Sequence, residues 1–355
     1  MRQADRSTAS EVFDGGAASP LVSVILAVRN ERNYIGDALV SVLQQDNLGF
    51  NHEILVVDGK STDGTIEIVH RMAAADTRIR VFVNEHQKTP FAFNLGLRQS
   101  RGEYVCILGA HAVYDRNYLS SCLAELKRTG ATVCGGLVET WPANSSLQAR
   151  LVAWVLGDSF GSSTRSFRTR KEGFVDGVNF PLMVKQAVIE VGGYDEQLFR
   201  NQDNELNERL RSRGHKFFIT DSTKCRYFAR STVRSLLQYA FHSGVWNVIS
   251  LRKNRRCMGL RHFVPFIFVS AMVLSFAMIM GTFWLPERYG RLSALPFLLV
   301  LGAHLSCGTV ASFLVGLRER SIGALMLPFV FLGFHVSYGA GTLAGFCRKG
   351  AVNLE

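Results

Sequence analysis

The residues of this chain best suited to chemistry stand directly behind apolar runs. Arg29, Asn30 and Glu31 follow LVSVILAV (Leu21 to Val28), and Asp58 and Asp63 sit in DGKSTDGT behind EILVV (Glu53 to Val57). Gly109, Ala110 and His111 follow YVCIL (Tyr104 to Leu108). A carboxylate at the end of a second strand is well placed to accept hydrogen bonds from a ribose or a base. Each residue taken singly also serves as a turn or cap, and DGKSTDGT alone makes a turn plus a helix N-cap. No GxGxxG follows the first run and no GxxxxGK[ST] occurs anywhere, so neither a dinucleotide fingerprint nor a P-loop accounts for the set.

The elements that must position these residues are legible in the apolar periodicity. Leu21 to Val28 is a continuous β-branched run, the pattern of a strand buried on both faces of a parallel sheet. The next helix, with Asn33 as its cap, repeats Ile35, Ala38, Leu39, Val42 and Leu43 on one face. A second helix carries Ile66, Ile68, Val69 and Met72. A strand over Ile79 to Val83, a helix over Pro90 to Gln99 and a fourth strand over Tyr104 to Leu108 follow. This alternation predicts a doubly wound α/β sheet, in which ligands bind beyond the carboxyl ends of the strands and the residues above share one rim. Further on, Asp203 opens a segment reaching Gly214 in which Leu206 and Leu210 face the core, while Glu205, Glu208, Arg209 and Arg211 form a charged face. An aspartate that merely caps a helix fits the same position.

Of the 355 residues 47% are apolar and 19% charged, which excludes a disordered regulator; 32 Gly and 8 Pro without a short repeat exclude a collagen-like chain or a solenoid. The mean hydropathy of +0.11 is high for a soluble enzyme. Phe263 to Leu285, Leu292 to Leu317 and Ser321 to Cys347 contain no Asp, Glu, Lys or Arg. Each is long enough to cross about 30 Å of hydrocarbon at about 1.5 Å per residue, so three membrane helices are expected, the other reading being a buried helical core.

The net charge of +11 suits nucleic acid, anionic lipid or an anionic substrate. Position decides: Arg252, Lys253, Arg255, Arg256 and Arg261 precede the first span, where anionic headgroups attract each by about 1 kcal/mol. They orient residues 1 to 261 toward the cytoplasm. Three traversals then put the Arg318-Glu319-Arg320 loop inside and the C-terminus outside, although Arg348 and Lys349 fall on the wrong side for that. The seven Cys form no CxxC pair and no metal spacing with His, as expected of small buried residues in a reducing compartment. Residues 1–19 lack an apolar h-region and read as a disordered tail.

Four segments, SVILAVRNER, VVDGKSTDGT, PFAFNLGLRQSRGEYVCILGAH and VGGYDEQLFRNQDNELNERLRSRG, in this order resemble the family 2 inverting glycosyltransferases of GT-A fold, over about Leu21 to Trp246. Asp176-Gly177-Val178-Asn179-Phe180 is similar to the DGxxF segment of the membrane-attached succinoglycan glucosyltransferases, the ExoA type. The resemblance implies a GT-A nucleotide-diphospho-sugar transferase domain over 20–230. An amphipathic, basic interfacial linker follows over 231–261, then a transmembrane region over 262–347 and a tail over 348–355. It implies that Arg29, Glu31, Asp58 and Asp63 surround the uridine of a UDP-sugar, that Lys88 and Asn94 lie near its diphosphate, and that Asp203 is the general base. Such transfer is one displacement, in which a carboxylate takes the acceptor proton while the nucleotide leaves from the opposite face.

Two departures from the family pattern stand out. Where the family carries Asp-x-Asp or Asp-Ala-His to hold Mg²⁺ or Mn²⁺, this chain has Gly109-Ala110-His111. His111 alone suits Mg²⁺ poorly and Mn²⁺ better, with diphosphate and water completing the shell. Basic groups such as Lys88 are the other means of stabilising the leaving group, and a chain that no longer catalyses is a third reading. Gln202 stands where Glu is common, which removes a neighbouring charge and should weaken Asp203 as a base.

Arg230, Gln238 and Trp246 loosely resemble the family's acceptor motif, and the same stretch reads as an amphipathic helix on the membrane with Trp246 at headgroup level. His304 and His335 fall inside spans, where histidine is a functional suspect although a neutral imidazole facing another helix is the ordinary state.

The expected activity is transfer of one hexose, most simply glucose from UDP-glucose, to a lipid-linked oligosaccharide on a polyprenyl diphosphate in extracellular polysaccharide biosynthesis. The enzyme is expected in the inner cell membrane as a multi-pass protein with a cytoplasmic catalytic domain, alongside other polysaccharide-assembly proteins. A processive synthase and a non-catalytic sugar-nucleotide-binding scaffold subunit are the alternatives. Nucleic acid is not an expected partner, because the basic residues cluster at a membrane boundary and not on an aromatic sheet face.

Overall fold

The computed structural model describes residues 21–46, 48–164, 166, 168–281 and 293–348. The N-terminal tail, Lys349 and the stretch 282–292 between the first two apolar runs lie outside the described residues.

The four apolar runs form β1 (Leu21–Val28), β2 (Asn51–Asp58), β3 (Ile79–Val83) and β4 (Tyr104–Leu108), paired in parallel in the order β3-β2-β1-β4. Val28 is in register with Asp58, and Asp58 with Val83, so the three chain exits leave the sheet at one level. The crossovers are α1 (Ile35–Leu43), α2 (Thr65–Ala75) and α3 (Thr89–Gln99). Asn33 does not cap α1: the Glu31 carbonyl accepts from Tyr34 and Ile35 N–H, and no side chain caps the helix.

Beyond β4 come β5 (Ala112–Tyr114), α4 (Tyr118–Thr129), β6 (Val133–Trp141), α5 (Leu147–Gly157), α6 (Ser159–Ser162), β7 (Gly173–Val175) and β8 (Leu182–Val184). They are followed by α7 (Lys185–Glu190), α8 (Gln202–Ser212), β9 (Phe217–Phe228) and α9 (Val233–Lys253). The sheet continues β4-β8-β6-β9-β5, with β7 on β9. Because β8 runs antiparallel to both β4 and β6, the sheet is mixed. It is sandwiched between two cores. Val22, Val24 and Leu26 join α1 and α4 on one face, while Ile25, Leu55 and Val105 join α3 and α8 on the other. Each fully buried side chain of this kind stabilises the fold by about 1.5–3 kcal/mol.

Three apolar helices follow among the described residues: α10 (Val264–Gly281), α11 (Leu295–Glu319) and α12 (Leu327–Cys347). With short 3₁₀ lead-ins to the first and third, Leu260–Gly281, Leu295–Glu319 and Ile322–Cys347 are long and apolar enough to cross a membrane. Leu274, Leu298, Phe313 and Phe329 are exposed, as lipid-facing side chains must be.

A third core joins these helices to the rest of the chain. Leu151 to Leu156 of α5, Leu236 and Ala240 of α9, Val315 of α11 and Phe331 and Phe334 of α12 pack as one cluster. The closest approach is between α9 and α12, where a side chain at Gly244 would strike the Tyr338 carbonyl and one at Gly341 the Phe241 carbonyl. Small residues at such a seam let two backbones meet. At its end, Arg252 donates to the carbonyls of Phe346 (2.9 Å) and Arg348 (2.6 Å), and Phe266 packs on Phe346. The end of α12 therefore lies at the face where α10 begins and the basic cluster stands. The expectation set the C-terminus and the basic cluster on opposite sides; here the last turn of α12 sits beside both that cluster and the start of α10.

Candidate active site

The loops leaving β1 and β2 are laced together. Gly59 N–H donates to the Val28 carbonyl and Asn84 N–H to the Asp58 carbonyl. Asn30 N–H donates to Ser61 Oγ, while Asn30 Oδ1 accepts from Thr62 N–H. Glu31 N–H donates to Thr65 Oγ1, and Arg32 N–H to Asp63 Oδ2. Asp58 is buried and accepts from Ser61 N–H (3.0 Å) and Oγ (2.5 Å). Asp63 also accepts from Thr65 N–H and Oγ1, and the Thr65 hydroxyl foremost holds its carboxyl below the usual range. Both aspartates shape the turn, and neither lines the adjoining cleft.

That cleft, of about 400 Å³, opens at the carboxyl ends of β1 and β4. Arg29, Glu31, Lys88, Gly109 and His111 all line it, so five of the residues singled out in the sequence share one space. The first turn of α3, with Thr89 and Ala92, forms another wall. A helix N-terminus beside a lysine favours anions. Asn94, on the same helix, is engaged elsewhere: it donates to the Tyr194 carbonyl and Glu196 Oε1 and accepts from Tyr194 N–H. It pegs the segment leading to Asp203, and it is not among the lining residues.

His111 Nδ1 lies 2.8 Å from Glu31 Oε2, and its ring meets Tyr34 and Tyr227 edge-on. Gly109 is bracketed by Tyr114, whose hydroxyl accepts from its N–H and donates to its carbonyl. A β-carbon at Gly109 would come 2.8 Å from Phe180 Cε1. Phe180 has φ +51 and packs on Tyr114. Its ring thus takes up the room into which a carboxylate at 109 would project. Glu31 and His111 are two donors already bound to each other, and no group of three or more His, Cys, Asp or Glu converges among the described residues. This donor set does not fit a resident divalent ion.

Asp203 stands in the first turn of α8, after Asn201, whose φ of 58 starts the helix from the left-handed region. Its carboxyl is open to solvent, yet the surrounding protein mass displaces enough water to raise its pKa above the ordinary carboxylate value. Desolvation thus acts in the opposite direction to the loss of an acidic neighbour at 202. Gln202 Oε1 is buried without a partner. Behind the turn, Arg209 pairs with Glu205 (2.6 Å) and donates to the carbonyls of Val191 and Gly193, clamping α8 to the loop before it.

The loop that presents Asp203 is seated on α9. Asn201 Nδ2 donates to Asn247 Oδ1 (2.9 Å), and Asn247 Nδ2 donates to the Tyr338 hydroxyl (2.7 Å) on α12. Trp246 is only 2% exposed and packs on Phe199, whose ring also receives Lys88 Nζ at 5.3 Å. Trp246 is thus inside the protein and not at the headgroup level expected of it: α9 buries its apolar side against α12 and the loop that leads to Asp203. Gln238 is exposed, and Arg230 stacks on Tyr239 at 4.4 Å.

The sequence reading passed over Phe180 as more than a motif letter, Asn201 and Asn247, and the apolar helix α5 with α6. Only α5 carried a signal, the run Leu151 to Leu156. His304 Nε2 and His335 Nδ1 lie 2.9 Å apart against Phe160 of α6, so two helices face each other there as expected.

Residues 23–191 match the model of glycosyl transferase family 2. The chain carries a family 2 glycosyltransferase domain. Among proteins similar to this glycosyltransferase, one from Methanococcus voltae is the dolichyl N-acetyl-alpha-D-glucosaminyl phosphate 3-beta-D-2,3-diacetamido-2,3-dideoxy-beta-D-glucuronosyltransferase. It is 29% identical over 244 residues, covering 65% of this chain and 74% of the relative. Succinoglycan biosynthesis protein ExoA of Rhizobium meliloti (strain 1021) is 28% identical over 245 residues, covering 68% and 73%. The mannosyltransferase PcManGT from Pyrobaculum calidifontis, solved with GDP-Man and Mn²⁺, superposes with a TM-score of 0.53 at 15% identity, covering 90% of this chain and 87% of that one. That likeness establishes the GT-A fold. The glycosyltransferase thus has relatives in polysaccharide and glycan biosynthesis, together with three helices fit for a membrane.

Proposed function

We propose that this glycosyltransferase moves a single hexose, glucose from UDP-glucose in the simplest case, onto a lipid-linked acceptor with inversion, in extracellular polysaccharide assembly. The observation that carries the reading is Asp203: a carboxylate open to solvent, raised in basicity by its surroundings, and held by a loop that also touches Lys88 of the cleft through Phe199. In the reaction the acceptor hydroxyl gives its proton to Asp203 as its oxygen attacks C1 of the sugar, and the C1–diphosphate bond breaks on the opposite face. Lys88, Arg29 and the first turn of α3 receive the charge of the departing diphosphate. Arg29, Glu31, Asp58 and Asp63 form or shape the uridine side, and Asn94, away from the diphosphate, holds the Tyr194 segment that leads to Asp203. Because the residues at 31, 109 and 111 do not fit a divalent ion, no step passes through one.

The lipid acceptor is supported by the third core, which joins the catalytic domain to the apolar helices, and by the name of the archaeal relative, in which a sugar on a dolichyl phosphate is the acceptor. The basic face at Arg252, Lys253, Arg255 and Arg256 supports a multi-pass protein of the inner membrane with its catalytic domain in the cytoplasm. The test is UDP release and product analysis with full-length protein in nanodiscs, UDP-glucose and a glycosylated polyprenyl diphosphate. Asp203→Asn should lower kcat by about 10²–10⁴-fold with UDP affinity retained. Unchanged turnover in that variant removes Asp203 from the reaction.

A further inference from the structure

Between the loop before α8 and the apolar helices lie three arginines and a histidine without acidic partners. Arg230 stacks on the Tyr239 ring at 4.4 Å, and Arg200 stands over the same ring at 5.9 Å. His242 lies one turn along α9 from Tyr239, near enough to feel both Arg200 and Arg348. Arg348 Nη1 is buried with no hydrogen-bond partner. Among the described residues none of the four forms an ion pair, whereas the neighbouring Lys253 pairs with Asp195 and Arg252 is spent on carbonyls. Burial, then the charge of Arg230, depresses Arg200; burial, then Arg200 and Arg348, depresses His242. Three arginines gathered beside a histidine without a counter-charge fit a multiply charged anion, which would also favour the protonated imidazole.

Resting on the function proposed above, we infer that Arg200, Arg230 and His242, backed by Arg348, bind the phosphate groups of the lipid-linked acceptor and so place its sugar hydroxyl at Asp203. Three features select this anion over others. The cluster is formed by the loops before α8 and α9, by α9 itself and by the end of α12, beside the basic residues that precede the first apolar helix, so an anion attached to a lipid reaches it from the bilayer. Arg200 lies three residues before Asp203, at most about 11 Å away between α-carbons, so the phosphates are held a short acceptor's length from the base. The donor's diphosphate already has its own cations in Lys88 and Arg29, which line the separate cleft.

The experiment uses the full chain in nanodiscs, with a polyprenyl diphosphate bearing one hexose as acceptor and the sugar-free polyprenyl diphosphate as binding probe. Arg200→Gln and Arg230→Gln should each raise the KM for acceptor by about 10- to 100-fold, and His242→Gln by about tenfold, while UDP affinity measured without acceptor stays within about twofold. Arg230→Lys should recover part of the loss, because charge is restored without the planar fork. The sugar-free probe should bind the wild type and lose affinity in the same variants. That readout stands even if no sugar is transferred, which separates failure of this clamp from failure of the proposed function. Equal probe binding by wild type and variants overturns the clamp. So does an unchanged acceptor KM accompanied by weaker binding to phosphatidylglycerol vesicles, which would make the cluster a headgroup anchor.

Discussion

The two halves of the catalytic domain are built on different terms. From β1 to β4 the candidate residues are fixed by bonds within one loop, Asp58 to Ser61, and between neighbouring loops, Asn30 to Thr62 and Arg32 to Asp63. From β8 onward they are fixed by partners far along the chain, since Asn201 rests on Asn247 and Asn247 on Tyr338. The proposed nucleotide side is a self-contained turn assembly, whereas the proposed base is held in place by α9 and, through it, by the apolar helices.

The contrast predicts which changes act on turnover and which on donor binding. Trp246→Ala should have the largest effect, removing about 3–5 kcal/mol of packing and lowering kcat with little change in UDP affinity, as read by thermal unfolding and titration in nanodiscs. Equal losses in kcat and UDP affinity would show that the two halves are not separately held. Next, the acid limb of the pH–rate profile should lie above the ordinary carboxylate range: Asp203 must be deprotonated to accept a proton, its pKa is raised, and activity therefore falls as pH drops through that raised value. A limb at the usual position would mean that the surroundings do not desolvate the carboxyl.

Asp58→Ala breaks the other half. Loss of its bonds to Ser61 should raise the donor KM by about tenfold and move kcat less. The smallest effect is expected from chelation: EDTA should change transfer by less than about twofold, because the positions at 31, 109 and 111 supply too few free donors. A larger loss restored by Mn²⁺ would show that Glu31 and His111 part to hold a cation.

How much could be read in advance follows the same division. β1 to β4 and their helices were legible because long β-branched runs and a 3.6-residue repeat are local signals, and the strand-end rule brought Arg29, Glu31, Gly109 and His111 to one cleft. Strand β8 was not legible, since three residues carry no periodicity and its antiparallel place between β4 and β6 is set by pairing with distant strands. Trp246 was placed at the lipid surface because an apolar helix face looks alike whether it meets lipid or protein. The Gly341 seam that decides the matter lies almost a hundred residues downstream. Arg200 and Arg348 are far in sequence from Tyr239 and His242 and meet them only through folding.

The tight seam between α9 and α12 has a practical consequence. Ending the chain at the first apolar helix to obtain a soluble catalytic fragment would strip the cover from Gly244 and Phe241 and remove Tyr338 from beneath Asn247. Such a fragment keeps its nucleotide loops but loses the floor under its base, so weak activity in it reports the missing tail and not a poor enzyme.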